Sequence, residues 1–174
     1  MQLSELLKQI DGISDPPVES WNPEFCGDID IEIKRNGDWY HEGGLISRIK
    51  MVKLFASIIK KENEDYFLVT PVEKVKIRVE STPFVAVSFE AVEDSIVFTN
   101  NLDQQLILDS THPIILSNES PEIIWKRNIP ARISTNLMYQ LQMHAIENNG
   151  LKEDGLYLYS AGQGYLLEKI SSKE

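Results

Sequence analysis

Apolar and polar residues alternate with a period of two along several short stretches of this chain, as in β-strands that keep one face in water. The clearest stretch, residues 29–33, places isoleucines between acidic residues. Asn36-Gly37 follows it and is typical of a tight turn, so we predict a hairpin that returns through Trp39 to His41. The same reasoning predicts strands over residues 66–70, 72–79, 84–91, 96–99, 105–108, 113–116, 123–126, 155–160 and 164–170.

Other stretches repeat their apolar residues with helical spacing, which predicts three helices: one over residues 3–10, one whose apolar stripe runs from Ile49 to Ile59 and which ends near Glu62-Asn63, and one over residues 133–148. The first is a short docking helix that Asp11-Gly12 ends. The segment from Pro16 to Pro23 is predicted to be an extended linker, because consecutive prolines disfavour a helix. Ser47 can cap the second helix, and Asn149-Gly150 ends the third.

The order of a helix followed by a hairpin occurs twice. Arg48 precedes the second helix and the strands near 66–77, and Arg132 precedes the third helix and the strands near 156–170. Because no βαβ alternation appears, we predict an α+β fold of two small related units that superpose, each with a helix packed on a mainly antiparallel sheet. The predicted boundaries are 1–24 for the docking helix and linker, 25–82 for the first unit, and 83–174 for a second, β-rich unit with a helix and a C-terminal hairpin.

Composition narrows the class of protein. The net charge of −10 opposes binding to nucleic acid or anionic lipid, although basic residues outnumber acidic ones eight to five between Ser47 and Glu80. A single cysteine, Cys26, excludes an internal disulfide, which fits a reducing compartment. The chain has neither a signal-peptide pattern nor an apolar run that could cross a membrane, so we expect a soluble cytoplasmic protein.

No standard nucleotide-binding, hydrolase or zinc-protease motif occurs in the chain. Asp28, Asp30 and Glu32 share one strand face, and His41 across the hairpin would add a fourth metal ligand. A calcium loop is excluded, because isoleucine and tryptophan occupy the positions that need glycine and glutamate. We therefore favour a solvated strand face and predict no metal site.

Ionisable and polar residues at element ends are the candidates for ligand binding. An imidazole can act as a donor, an acceptor or a cation, so a functional His41 and a satisfied structural one both remain open. Arg48 and Arg132 stand at the predicted helix starts, where the helix dipole disfavours cations; a bound anion or a carboxylate of the other unit would explain them. Other polar residues at strand ends are Thr70, Glu73, Lys74, Thr99 and Asn100.

At these positions the chain resembles a bacterial family known only as domain of unknown function 1285. The resemblance runs from about Cys26 to Leu167 and is carried by residues 26–31, 39–43, Ile46, Arg48, 54–55, 68–74, 83–85, 98–100, 112–113 and 131–132. It implies a two-domain α+β protein with a repeated motif, a second domain superficially like a pleckstrin-homology barrel, and a ligand site at the domain interface. It also implies a role in signalling or regulation.

We therefore expect a ligand-binding or regulatory protein whose interdomain cleft takes a small anion. The expected ligand-binding residues are Trp39, His41, Arg48, Thr70, Glu73, Lys74, Thr99, Asn100 and Arg132. The alternative is an enzyme that uses His41 as a base with Glu42 or Glu73 as its partner. A protein-binding adaptor with an exposed apolar patch is a third hypothesis. The sequence identifies no cofactor and no particular ligand.

Overall fold

The structure is a computed structural model that describes residues 3–10, 12, 15–118 and 120–171. The chain divides into two compact units, Met1–Pro83 and Phe84–Glu174. We describe each unit by itself. No helix among the described residues has both the length and the apolar character that crossing a membrane requires.

The N-terminal unit is a six-stranded sheet with two helices. Its elements are α1 (Leu3–Ile10), β1 (Phe25–Ile33), β2 (Trp39–His41), β3 (Gly44–Leu45), α2 (Ile49–Ser57), β4 (Ile59–Glu62), β5 (Asp65–Val69) and β6 (Lys74–Val79). The strand order is β3-β2-β1-β6-β5-β4. Neighbouring strands are antiparallel except for the central pair, β1 and β6, which is parallel.

The core of this unit is formed by the apolar residues that alternate along β1 and by those that repeat with helical spacing along α2. The three isoleucines of residues 29–33 are buried, and so is the stripe of Val52, Phe55 and Ala56 on α2. Trp39 stacks on Phe55, with ring centroids 6.2 Å apart and planes 16° apart. The predicted hairpin is confirmed, and its turn glycine, Gly37, has a φ of 92° that suits glycine.

Two local predictions near the helices need correction. The residue that caps α2 is Arg48 and not Ser47, and it caps the helix without a side-chain hydrogen bond. The predicted linker contains a short 3-10 turn, Val18–Ser20, whose Val18 is buried. The predicted end of α1 at Asp11 falls on a residue outside the described part of the chain.

The C-terminal unit is a second six-stranded sheet with a helix and a separate hairpin. Its elements are β7 (Phe84–Val92), β8 (Ser95–Asn100), β9 (Gln105–Ile107), β10 (Ile114–Ser117), β11 (Ser120–Lys126), β12 (Ile129–Ile133), α3 (Thr135–Glu147), β13 (Gly155–Ser160) and β14 (Gln163–Lys169). The strand order is β10-β11-β12-β7-β8-β9, and only the β12–β7 pair is parallel.

The second sheet curls into a half-barrel. Strand β13 contacts β8, while its partner β14 contacts β10 and β11 towards the other end of the sheet. Ser160 fixes the first contact, because its Oγ accepts a hydrogen bond from Ile96 N at 2.9 Å and donates one to Leu108 O at 2.7 Å. The predicted fold class, two related α+β units with a barrel-like second unit, is confirmed.

The two sheets have the same topology. Each consists of two three-stranded antiparallel meanders, joined by a parallel pairing between the first and last of the six strands. The equivalent of β5–β6 is therefore β11–β12, and not the C-terminal hairpin. The predicted alignment of the repeat is wrong in this respect, since α2 lies between the meanders of its unit and α3 follows both meanders.

Two strands that the periodicity does not predict explain this error. The apolar stripe of α2 was expected to run to Ile59, but the helix ends at Ser57 and Ile59 begins β4. Pairing with β5 and full burial of Ile59 override the helical spacing there. Ile133 was expected to begin the third helix, but it ends β12, and Ser134 caps α3 by accepting a hydrogen bond from Leu137 N.

Candidate functional site

Two of the expected ligand-binding residues close turns. Thr70 is fully buried, and its Oγ1 accepts hydrogen bonds from Glu73 N at 3.0 Å and Val72 N at 3.4 Å. Asn100 is also fully buried, and its Oδ1 accepts from Leu102 N at 2.8 Å and Gln104 N at 3.1 Å. Both side chains replace missing backbone acceptors in loops that follow strands.

Trp39 and His41 lie on the core face of the first hairpin. In an antiparallel pair, residues opposite one another share a face. Ile33 is opposite Trp39 and Ile31 is opposite His41, and both isoleucines are fully buried. Trp39 is accordingly a core residue. The expected placement of His41 beside the acidic strand face is wrong.

Glu73 and Lys74 are engaged in separate contacts. The Glu73 carboxylate accepts a hydrogen bond from Gln9 Nε2 of α1 at 2.9 Å. Lys74 Nζ pairs with the Glu62 carboxylate and also lies 4.5 Å from the centre of the Phe67 ring. The Lys74 hydrogen bond is the main reason why the pKa of Glu62 is below its ordinary value.

The enzyme hypothesis would need His41 near a carboxylate. His41 Nε2 lies 4.0 Å from Glu42 Oε1, at the outer limit of an ion pair, and the Glu42 side chain is exposed. Since Gln9 occupies the carboxylate of Glu73, the second proposed partner is committed elsewhere. A catalytic role of His41 stays a prediction.

Arg48 and Arg132 are not equivalent in the repeat. Arg48 is the N-terminal cap of α2, whereas Arg132 lies within β12, opposite Glu122 of β11. By strand order, the counterpart of β12 is β6, in which Arg78 takes the next-to-last position as Arg132 does in its strand. Thr99 is half-buried, and its Oγ1 accepts a hydrogen bond from Gln105 Nε2 at 3.4 Å.

The acidic face of β1 is neutralised by basic side chains. Asp30 and Glu32 pair with Arg78 at 2.7 and 3.5 Å, and Glu32 also pairs with Lys34 at 3.0 Å. The hydrogen bond from Lys34 holds the pKa of Glu32 below its ordinary value, against partial desolvation. Tyr40 completes a polar cavity of about 390 Å³ at this face. Among the described residues, no group of three or more histidine, cysteine, aspartate or glutamate side chains could hold a metal ion.

A groove between α1 and α2 has a different character. It has a volume of about 420 Å³ and is lined by Leu7, Lys8, Arg48, Lys50, Met51 and Leu54. Three of these side chains are cations and three are apolar. None of the three cations forms an ion pair with a carboxylate that the structure describes.

Of the expected ligand-binding residues, this groove contains Arg48 alone. Lys50 belongs to the basic segment that the sequence marks, but Lys8 and Leu7 lie outside it. The only signal for these two in the sequence is their place at the edge of an amphipathic helix. Which element α1 packs against depends on contacts distant in sequence, so periodicity could not assign them to this groove.

The C-terminal unit has a cavity of its own. Its volume is about 400 Å³, and it lies between the end of α3, strand β13 and the β7–β8 turn. His144, Tyr157 and Tyr159 line it, together with Glu93 and Asp94 of the turn. One polar side chain at this cavity is committed to a neighbour: Tyr157 OH donates to Asp154 Oδ2 at 2.8 Å, which raises the pKa of Tyr157.

Comparison with known proteins places the chain in a family. Residues 16–82 match the model of the N-terminal domain of DUF1285, a domain of unknown function, and residues 83–167 match the C-terminal domain of the same family. No curated protein matches the chain.

Two crystal structures are similar to this one. One is of a DUF1285 family protein from Silicibacter pomeroyi DSS-3, with 31% sequence identity, a TM-score of 0.86, and coverage of 97% of this chain and 96% of that one. The other is of a DUF1285 family protein from Shewanella baltica OS155, with 29% identity, a TM-score of 0.54, and coverage of 63% and 87% respectively. The chain therefore belongs to the DUF1285 family of proteins of unknown function.

Proposed function

We propose that this protein binds a small anion in the groove between α1 and α2. The observation that carries the proposal is the set of three cations, Lys8, Arg48 and Lys50, around one groove, none of which pairs with a carboxylate among the described residues. The protein has a net charge of −10, so acidic side chains are numerous enough to pair with these cations. A bound anion would relieve the mutual repulsion of the three cations.

The cations of the groove differ from those on the sheet of the same unit. Most basic side chains on or next to its strands meet carboxylates: Lys34 meets Glu32, Lys60 and Lys74 meet Glu62, Lys76 meets Asp65, and Arg78 meets Asp30. Among the described residues of this unit, the groove instead brings together three cations that form no ion pair.

The helix that forms one wall adds to the attraction for an anion. The first N–H groups of a helix have no acceptor within it, and they form the positive end of the helix dipole. In α2 no side chain caps these groups, and the first turn contains no acidic residue. An anion held by Arg48 and Lys50 would accept hydrogen bonds from these N–H groups and would also neutralise the positive end of the dipole.

We propose a regulatory role for this binding rather than a catalytic one. The described lining of the groove includes no carboxylate, imidazole, thiol or hydroxyl group, so it lacks the usual acids, bases and oxygen or sulfur nucleophiles. Such a site can hold a ligand and respond to its concentration. This role agrees with the one that the family resemblance implies.

A thermal-shift screen tests the proposal. Small carboxylates and phosphorylated metabolites are added one at a time to the wild type, to Arg48→Gln and to Lys53→Gln. Lys53 is the matched control, because it lies on the same helix and carries the same charge but does not line the groove. A ligand at a hundred times its Kd should stabilise the protein by about 2.7 kcal/mol, which is a shift of several degrees.

We expect at least one anion to stabilise the wild type and Lys53→Gln alike and to leave Arg48→Gln nearly unchanged. Equal shifts in all three proteins would show binding elsewhere and contradict the proposal. No shift with any anion would contradict it as well.

A further inference from the structure

We infer that the anion bound by the α1–α2 groove carries an aliphatic tail, so that the ligand class is a free amphipathic acid such as an acyl carboxylate or an acyl phosphate. This inference rests on the proposed function, since it concerns the same groove. The groove combines its cations with an apolar surface of Leu7, Met51 and Leu54. A site for a bare inorganic anion or a sugar phosphate would need polar side chains where these three lie.

The apolar part of the groove is separate from the apolar stripe that holds α2 on the sheet. That stripe is Val52, Phe55 and Ala56, all buried in the core. Met51 and Leu54 are three positions apart, so they are neighbours on the helix surface, and both are only half-buried. They therefore form a second apolar strip, which is available to a ligand.

The order of side chains along α2 gives the bound acid a direction. Arg48 and Lys50 lie at the start of the helix, and Leu54 lies at least one turn further along. The acid group would sit at the uncapped helix start, between the cations. Its tail would then run along Met51 and Leu54, with Leu7 of α1 on the other side.

Binding of a series of straight-chain carboxylates, from acetate to decanoate, provides the test, with each acid kept below its micelle concentration. Isothermal titration calorimetry is carried out on the full chain. Affinity should rise about twofold to fourfold for each added methylene, because burial of a methylene is worth up to about that factor, until the tail outgrows the groove.

Leu54→Gln should flatten this rise and leave the affinity for acetate unchanged, and Met51→Gln serves if Leu54→Gln does not fold. Arg48→Gln should weaken every acid by a similar factor, and Lys53→Gln should weaken none.

Each other outcome overturns a defined part of the reasoning. If acetate binds as tightly as decanoate and Arg48→Gln abolishes both, the anion site stands and the aliphatic tail is wrong. If no carboxylate of any length binds, the inference is wrong, and the anion site is wrong as well if no anion of the thermal-shift screen stabilises the protein. If decanoate binds the wild type and Arg48→Gln equally, its binding is nonspecific and the inference fails. If the protein binds phosphatidylglycerol vesicles but no monomeric acid, the ligand is a lipid surface and the assignment to a free acid is wrong.

Discussion

The amide of Asn100 allows a sharp test of whether an expected ligand residue is structural. Asn100 is 0% exposed, and its Oδ1 is the acceptor for the backbone N–H groups of Leu102 and Gln104. Its Nδ2 donates in turn to Gln104 Oε1 at 3.0 Å. The side chain therefore holds the whole turn between β8 and β9. We predict that Asn100→Ala destabilises the protein strongly.

The magnitude follows from the groups left without partners. The Leu102 N–H is buried, so losing its acceptor costs about 1–3 kcal/mol, and the half-buried Gln104 N–H adds about 1 kcal/mol. Together with the space left by the amide, the expected loss is about 3 kcal/mol. This is a large part of the total stability of about 5–15 kcal/mol that is typical of a native protein.

Thr99→Ala is the matched control. Thr99 is the preceding residue, but its hydroxyl makes only a long contact of 3.4 Å with an exposed amide, so the change should be within about 0.5 kcal/mol. Urea unfolding followed by circular dichroism measures the free energies. Hydrogen exchange read by mass spectrometry should show the amides of Leu102 and Gln104 losing protection first. If Asn100→Ala loses no more stability than Thr99→Ala, the turn does not depend on the amide and the structural assignment is refuted.

Two further predictions concern pH and steric space. The pKa of Glu62 is lowered chiefly by the hydrogen bond from Lys74, so its ionised form stabilises the fold above the ordinary pKa of 4.5, and this stabilisation is lost as the pH falls through the lowered value. Lys74→Met should therefore flatten the fall of the thermal midpoint below about pH 4.5, and an unaltered pH profile between 3 and 7 would contradict this. A Cβ at Gly150 would collide with the carbonyl oxygen of Tyr157 and lie 2.7 Å from that of Ala145. Gly150→Ala should then cost more than about 3 kcal/mol or prevent folding, as circular dichroism and soluble yield would show, and a thermal midpoint like that of the wild type would refute the clash.

Sequence periodicity predicted the strands whose two faces differ most. Residues 29–33 alternate between acids and isoleucines, and both the strand and its turn appear where the pattern puts them. Strand β4 was missed because Ile59 continues a helical spacing, and pairing with β5 decides its conformation. Strand β12 was missed because its last residue, Ile133, also fits the spacing of the helix that follows. With these two strands absent, the repeat could be aligned only by its helices, which occupy different places in the two units.

The candidate site was less predictable than the fold. Thr70 and Asn100 have the residue types that line polar clefts, but the same types also close turns, and only coordinates separate the two roles. The sequence pointed to Arg48 because a cation at a helix start is unusual, and Arg48 lines the groove between α1 and α2. Lys8 could not be found, since its partner helix is remote in the chain and packing between α1 and α2 leaves no trace in local periodicity.

The central parallel pair of each sheet has a consequence for how the chain acquires its structure. Each meander closes through short connections, whereas Glu32 and Arg78, which face one another across β1 and β6, are 46 positions apart. Closing a loop of that length costs more conformational entropy than closing a short turn, and it is therefore slower. We expect the meanders to form early and to join late during folding. Until they join, β1 and β6 each present an unpaired edge that is rich in isoleucine and valine. In the N-terminal unit, self-association during synthesis or refolding would begin at these two edges, which become the centre of the finished sheet.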